Sequence, residues 1–173
     1  MDPQANPYAT PTADLADTPG EVSRPPFYVV GTLKFLLLYI ATVGMYSLYW
    51  FYKNWSNYKE ETRQDIWPLP RAIFSIFFIH ALFRAVDERL RASGKSFPWS
   101  PGTYATLLVV LTIASNALDR IAGNTDTIGA LDVAALLIIL PLAFVTLRAQ
   151  GAINLACDDP AGTGNSRLTG LNI

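Results

Sequence analysis

The sequence predicts an all-α fold, a bundle of helices integral to a membrane, from three observations. Hydrophobic residues make up 51% of the 173 residues and charged residues only 16%, whereas soluble domains are roughly 25% charged. Three stretches are apolar and close to the roughly 20 residues that a helix needs to cross a bilayer. Aromatic rings crowd the end of the first stretch, as is typical of the membrane interface. We expect three transmembrane helices and one amphipathic interfacial or re-entrant helix, with four transmembrane helices as the alternative.

The first predicted span covers residues 27–51. No charged residue lies between Lys34 and Lys53. Thr42-Val43-Gly44 could loosen this helix midway, because Gly lets a neighbour approach and Thr can bond back to a carbonyl. Five rings are predicted as interface anchors: Tyr46, Tyr49, Trp50, Tyr52 and Trp55. Replacing either tryptophan by Phe should then be mild, because a ring stays at the interface.

The same stretch contains a motif that resembles a known family. Thr42-x-Gly44-x-Tyr46 is followed by Tyr49-Trp50-Phe51-Tyr52-Lys53-Asn54-Trp55. Over about residues 27–65 the chain is similar to small bacterial membrane proteins that are known only as a domain of unknown function. The resemblance implies a bacterial inner-membrane protein with a handful of helices, and it carries over no catalytic residue.

The interfacial helix is predicted over about residues 70–92. Its apolar part is too short for a clean crossing, and His80, Arg84, Asp87 and Arg91 recur on one helical face. Such a basic amphipathic helix can lie in the membrane surface. His80 could act as a proton relay beside Arg84 and Asp87. The alternative is a polar-face histidine bonded to a carbonyl or to Asp87.

Two further spans are predicted at residues 103–121 and 128–147, with Pro141 as a kink in the second. Asp119, Arg120, Asp126 and Asp132 are expected to gather near one membrane surface, and Asn116 lies on the same helix as Asp119. They could start a polar path, although a solvated turn with a local ion pair is the commoner outcome for such residues.

Lys34 has two interpretations as well. Snorkelling would place its ammonium among the headgroups, whereas an ionisable group inside a span can couple to ions. The candidate polar membrane residues are thus Lys34, His80, Arg84, Asp87, Asn116, Asp119 and Asp132.

Three segments organise the chain. Residues 1–26 are polar and rich in Pro, so we expect a disordered tail. Residues 27–156 form the helical membrane domain, and residues 157–173 are expected to be a flexible tail. We expect the N-terminus in the periplasm and the C-terminus in the cytoplasm. If residues 72–91 do not cross, Arg24 and Arg120 are then the only Lys or Arg residues outside, with Lys34 in the membrane, as the positive-inside rule favours.

Composition excludes several classes of function. The net charge of −1 gives no field that would attract nucleic acid, and Cys157 and His80 are each the only residue of their type, which excludes an internal disulfide and a cysteine-based metal cluster. We expect no catalytic residues and no cofactor. The predicted function is a non-enzymatic accessory or scaffold, in contact with the bilayer and with a membrane-protein partner or a second copy. The alternatives are a small transporter or channel subunit with a path through Asn116, Asp119 and Asp132, and an intramembrane enzyme that uses His80, Arg84 and Asp87.

Overall fold

The computed structural model describes residues 25–123 and 129–167, and within these ranges it contains seven α-helices and no strand. The helices are α1 (Thr32–Ala41), α2 (Tyr46–Thr62), α3 (Pro68–Ile73), α4 (Ser75–Ala92), α5 (Pro101–Ala122), α6 (Ala130–Leu137) and α7 (Ile139–Ala156). The all-α prediction is thus confirmed for the described residues. The predicted disordered tail, up to residue 24, lies outside them.

The first apolar stretch folds back on itself. Val43 and Gly44 have φ angles of 52° and 83°, and such left-handed backbone ends a helix. The Thr42 hydroxyl joins the two helices, since it donates to Leu38 O at 2.8 Å and accepts from Tyr46 N at 2.9 Å. The prediction of one continuous helix over residues 27–51 is therefore wrong.

Ring contacts show that α1 and α2 are antiparallel. Phe27 stacks on Tyr58 with ring centroids 5.7 Å apart. Farther along the chain, Phe35 lies 6.4 Å from Trp50 and 5.7 Å from Tyr46. Because rising residue numbers on one side meet falling numbers on the other, the two helices form a hairpin, and the chain enters and leaves it at the same end.

The helix predicted for residues 70–92 is present as α3 and α4, with a break at Phe74. Pro68 fits the first turn of α3 because it needs no N–H there. One face of α4 is buried, with Leu82, Phe83 and Val86 at 0% exposure. This confirms the predicted amphipathic pattern, whereas the interfacial position of the helix stays a prediction.

Two helical stretches are long and apolar enough to cross a membrane, namely Pro101–Ala122 and Asp132–Ala156. Only 17% and 28% of their most apolar windows are buried, so neither is enclosed by protein as a core helix of a soluble domain would be. The second stretch is interrupted at Ile138, between α6 and α7. Pro141 explains the interruption, because it has no N–H for the carbonyl of Leu137.

The core combines buried side chains of residues 27–30 with those of α1, α2, α4 and α7. Residues after α7 pack against this core as well, through a 3₁₀ turn at Thr163–Asn165. The prediction of a flexible tail from residue 157 is therefore wrong for residues 157–167, and residues 168–173 lie outside the described chain.

Candidate functional site

The centre of the molecule holds an extended segment, Phe27–Gly31. Phe27, Tyr28 and Val30 are 1%, 8% and 0% exposed. Extended backbone that is buried without a neighbouring strand must find other partners for its N–H and C=O groups. Side-chain amides from α2, α7 and the C-terminal turn supply them. We call this set, Asn54, Gln150, Asn154 and Asn165, the amide clasp.

Asn154 makes the most complete contact of the clasp. Its Oδ1 accepts from Val30 N at 3.3 Å, and its Nδ2 donates to Val30 O at 3.0 Å. The amide thus occupies the place that one residue of a paired strand would take. Asn154 is 1% exposed, so water does not compete for these bonds.

Gln150 and Asn54 bond the backbone of Tyr28, two residues before Val30. Gln150 Nε2 donates to Tyr28 O at 3.0 Å and to Asn154 Oδ1 at 2.7 Å. Asn54 Oδ1 accepts from Tyr28 N at 3.1 Å, while its Nδ2 donates to Trp50 O at 2.9 Å. Gln150 Oε1 in turn accepts the indole N–H of Trp50. One connected network therefore joins α2, α7 and the extended segment.

Asn165 and Lys34 attach the C-terminal segment to this network. Asn165 Nδ2 donates to Val29 O at 3.0 Å. Lys34 Nζ donates to Asn165 Oδ1 at 2.6 Å and to Arg167 O at 2.8 Å. Lys34 is 2% exposed, so the predicted snorkelling is wrong. The lysine points into protein because the hairpin turns this face of α1 toward the C-terminal segment.

The predicted interface anchors divide into two groups. Tyr46, Trp50 and Trp55 are 8%, 0% and 1% exposed, so their assignment as anchors is wrong. They are buried because α2 packs this face against the extended segment and the neighbouring helices. Tyr49 and Tyr52 remain exposed and keep their prediction.

Three of the candidate polar residues lie in a row along α4. His80 Nε2 lies 3.1 Å from Thr106 Oγ1 of α5, rather than against a carbonyl or Asp87. Asp87 accepts from Trp99 Nε1 at 3.3 Å and pairs with Arg91 at 2.7 Å. Arg84 is exposed between them. The enzyme hypothesis requires these residues to converge on one pocket, and they do not.

Three further candidates, Asn116, Asp119 and Asp132, line a cleft beside the hairpin turn at Val43-Gly44, and Lys34 is not among its lining residues. Asp119 and Asp132 line a cavity of about 350 Å³ beside the hairpin turn. Asn116 and Asp119 line an adjoining cavity of about 260 Å³. Asp132 also accepts from Gly129 N at 2.8 Å, at the start of α6. Asp119 and Asp132 therefore lie together as predicted, whereas Asp126 lies outside the described residues and Lys34 is not part of this cleft.

The amide clasp fixes the backbone of residues 27–31 and is not suited to acid–base or nucleophilic catalysis. Its amides are neutral donors and acceptors, and each is occupied by backbone or by another side chain. Burial raises the pKa of the nearby Cys157 thiol to about 11, which keeps the sulfur from acting as a nucleophile near neutral pH. Within the described ranges, no group of three or more His, Cys, Asp or Glu residues could hold a metal ion.

Sequence reasoning missed Gln150 and Asn154. They lie four residues apart in an otherwise apolar helix, so they share a face. A pair of amides on one face of an apolar helix indicates a buried polar contact, and this spacing was the available signal. What it could not indicate is the partner, a strand-like segment more than a hundred residues away in sequence.

Comparison with known proteins adds no functional assignment. No family model, curated protein or solved structure matches the chain. The resemblance of residues 27–65 to the uncharacterised family stays a prediction.

Proposed function

We propose that this chain is a small multi-pass protein of the bacterial inner membrane that acts as a non-enzymatic accessory or scaffold. The observation that carries the proposal is an apolar exterior around a polar, tightly bonded centre. Large exposed apolar side chains follow the outer faces of α1, α5, α6 and α7: Leu33, Leu37, Ile40, Leu107, Val110, Ile113, Val133, Leu137, Leu140 and Phe144. Apolar surface of this extent is rare on soluble monomers and is suited to lipid.

The hairpin favours a topology with two crossings. In this proposal α1 and α2 dip into the bilayer and return, so they add no crossing. The helices α5 and α6–α7 cross it, and both chain termini face the cytoplasm. Arg120 is then the only one of the 13 Lys and Arg residues near the opposite surface, an asymmetry that the positive-inside rule favours.

The scaffold role is supported by the way in which the clasp fixes the cytoplasmic end. The segment before α1 is bonded to the segment after α7 through Asn165, to α2 through Asn54 and to α7 through Gln150. The ends of α2 and α4 therefore present a rigid, charged surface, with Arg63, Arg89 and Arg91 exposed. A rigid surface binds a partner with little loss of conformational entropy.

Cysteine labelling tests the topology most directly. Single cysteines at Thr10 and Thr125 in a Cys157→Ser background would be treated with a membrane-impermeant reagent on intact cells. We expect labelling at 125 and protection at 10 until the cells are opened. Labelling at both positions would restore three crossings with an external N-terminus. Release of the protein from membranes by alkaline carbonate would reject membrane integration itself.

A partner search tests the scaffold role. A photo-crosslinker at Arg89 and a matched one at Leu140 would separate a partner at the charged end from neighbours in the lipid. We expect one discrete protein adduct from position 89. Diffuse adducts of equal intensity from both positions would contradict a docking surface there.

The cleft favours a transporter or channel subunit as a second candidate. Asp119 and Asp132 lie beside the hairpin turn with Ser115 between the two cavities. In proteoliposomes, an ion flux that Asp119→Asn abolishes and Glu61→Gln leaves unchanged would favour this candidate. No flux above that of empty liposomes would support the scaffold.

A further inference from the structure

The surface formed by α4 and α5 has a defined direction. His80 of α4 lies level with Thr106 of α5, and Asp87 lies level with Trp99. The two helices are therefore antiparallel here. Arg84, one turn after His80, falls beside the first turn of α5.

A shallow groove lies on the exposed face of α5, next to α4 at the contact between Thr106 and His80. Gly102, Thr103, Thr106, Leu107 and Val110 line a shallow space of about 530 Å³. The two threonines lie toward the start of α5, and the two apolar residues lie deeper along it. The groove thus changes from hydroxyl-lined to apolar over about two helical turns.

The adjoining face of α4 also changes from polar to apolar side chains in the same direction. Phe77, His80 and Arg84 share one face because they are spaced by three and four residues. Phe77 is 76% exposed, level with the apolar half of the groove, while Arg84 is exposed at the polar half. The groove on α5 and the adjoining face of α4 therefore both place polar groups at one end, with the cation Arg84 on α4, and apolar groups at the other.

The guanidinium of Arg84 is available to a ligand. Two acids lie within about one turn of it on α4: Asp87 is already bonded to Arg91 at 2.7 Å and to Trp99 at 3.3 Å, and Glu88 is exposed. No hydrogen bond or ion pair joins Arg84 to another residue in the part of the chain that the structure describes. An exposed Phe and an uncommitted Arg on one face match the two parts of an amphiphile.

We propose that this groove binds one anionic phospholipid. Its phosphate lies against Arg84 and the hydroxyls of Thr103 and Thr106, and an acyl chain runs over Phe77 and Val110. Arg suits this role because its planar guanidinium can donate two parallel bonds to phosphate. The inference rests on the proposed membrane location, and it adds a specific lipid site to it.

Native mass spectrometry of the detergent-solubilised protein tests the site. Phosphatidylglycerol and phosphatidylcholine with identical acyl chains would be titrated separately. We expect Arg84→Gln to weaken phosphatidylglycerol binding about fivefold, the effect of about 1 kcal/mol for one basic group near a lipid headgroup. Arg84→Lys should keep part of the binding. Val110→Trp, which fills the apolar half, should weaken binding of both lipids.

Arg63→Gln is the matched control, because it removes the same charge from an exposed position at the end of α2. Equal losses from Arg63→Gln and Arg84→Gln would overturn the proposal in favour of diffuse attraction. Competition by glycerol phosphate, which has no acyl chains, at the lipid's own concentration would also overturn it. Carbonate extraction of each variant reports membrane integration independently, so failure of the lipid site and failure of the membrane proposal are distinguishable.

Discussion

The two ends of the α6–α7 stretch lie in contrasting surroundings. At its C-terminal end, Gln150 and Asn154 are 1% exposed and bonded to the extended segment. At its N-terminal end, Asp132 lines a cleft with Asp119 and accepts one backbone N–H. Polar residues at the first end are part of the fold, since buried amides must be paired. Polar residues at the second end are open to solvent or a ligand.

Substituting one asparagine of the clasp and one of the cleft by Ala should give the largest difference in the free energy of unfolding. Asn154→Ala leaves both the N–H and the C=O of Val30 without their partner. Each unpaired buried group costs about 1–3 kcal/mol, so we expect the free energy of unfolding to fall by roughly 2–6 kcal/mol. Chemical unfolding in detergent micelles measures it.

The matched substitution in the cleft is Asn116→Ala. Asn116 is exposed on α5, and Ala is a better helix former. We expect a change within about 0.5 kcal/mol. Similar losses for Asn116→Ala and Asn154→Ala would mean that the clasp and the cleft do not differ in their part in folding.

Substituting two glycines by Ala should give the next largest difference in the free energy of unfolding. Gly94 and Gly162 have nearly the same φ, 66° and 65°, so Ala at either position bears a strain of about 1–2 kcal/mol. Nothing lies within 4 Å of a Cβ at Gly94, whereas a Cβ at Gly162 would collide with the carbonyl of Val30 and lie 2.7 Å from Gly31 N. We expect Gly162→Ala to cost about 1–3 kcal/mol more, measured by the same unfolding experiment. Equal costs would show that the C-terminal segment can move away from the clasp.

The two buried tryptophans should respond differently to Phe. Trp50→Phe removes the donor to Gln150 Oε1 and should cost about 1–3 kcal/mol for the unpaired acceptor. Trp55 Nε1 has no hydrogen-bond partner among the described residues. Both substitutions leave a cavity in the core, so Trp55→Phe should lower the free energy of unfolding by about 1–3 kcal/mol less than Trp50→Phe does. The sequence predicted a mild effect for both. A mild effect of Trp50→Phe would mean that Gln150 finds another donor.

Helical periodicity predicted much of the fold. The bounds expected for α5 and for α3–α4 agree with the structure to within a few residues, because one face of each helix has a continuous apolar pattern. The reversal at Val43-Gly44 could not be predicted with the same ease. A hairpin and a single span bury the same apolar residues, and the choice depends on the distant contacts of Phe35 with Trp50 and Tyr46.

The clasp was beyond prediction for a related reason. An amide side chain has the same sequence signature whether it faces water, lipid or a backbone segment. Asn154 and Asn165 gain their role only when residues 27–31 lie between them. By contrast, the gathering of Asp119 and Asp132 could be predicted, since a short connection between two helices places their adjoining ends together.

The smallest expected effect is on amide protection in the turn of residues 159–165, which contains Asn165. Asp159 accepts from Thr163 N at 2.9 Å and from Gly164 N at 2.8 Å. These backbone bonds lower the pKa of the Asp159 carboxyl below its ordinary value. Because the folded-state pKa is lowered, the turn is stabilised above about pH 4, the ordinary range of Asp, and this stabilisation is lost as the pH falls through the lowered pKa.

Hydrogen exchange at the Gly164 amide should therefore show protection that declines in acid. We expect Asp159→Ala to remove this pH dependence and to leave the amide weakly protected throughout. Asp158→Ala is the control, because Asp158 pairs with Lys95 and makes no bond within the turn. Asp158 is also more exposed than Asp159, with 82% of its side chain accessible. Its substitution should therefore leave the pH dependence of Gly164 protection unchanged. A pH dependence that survives Asp159→Ala would assign the acid response to another group and separate the turn from the clasp that it supports.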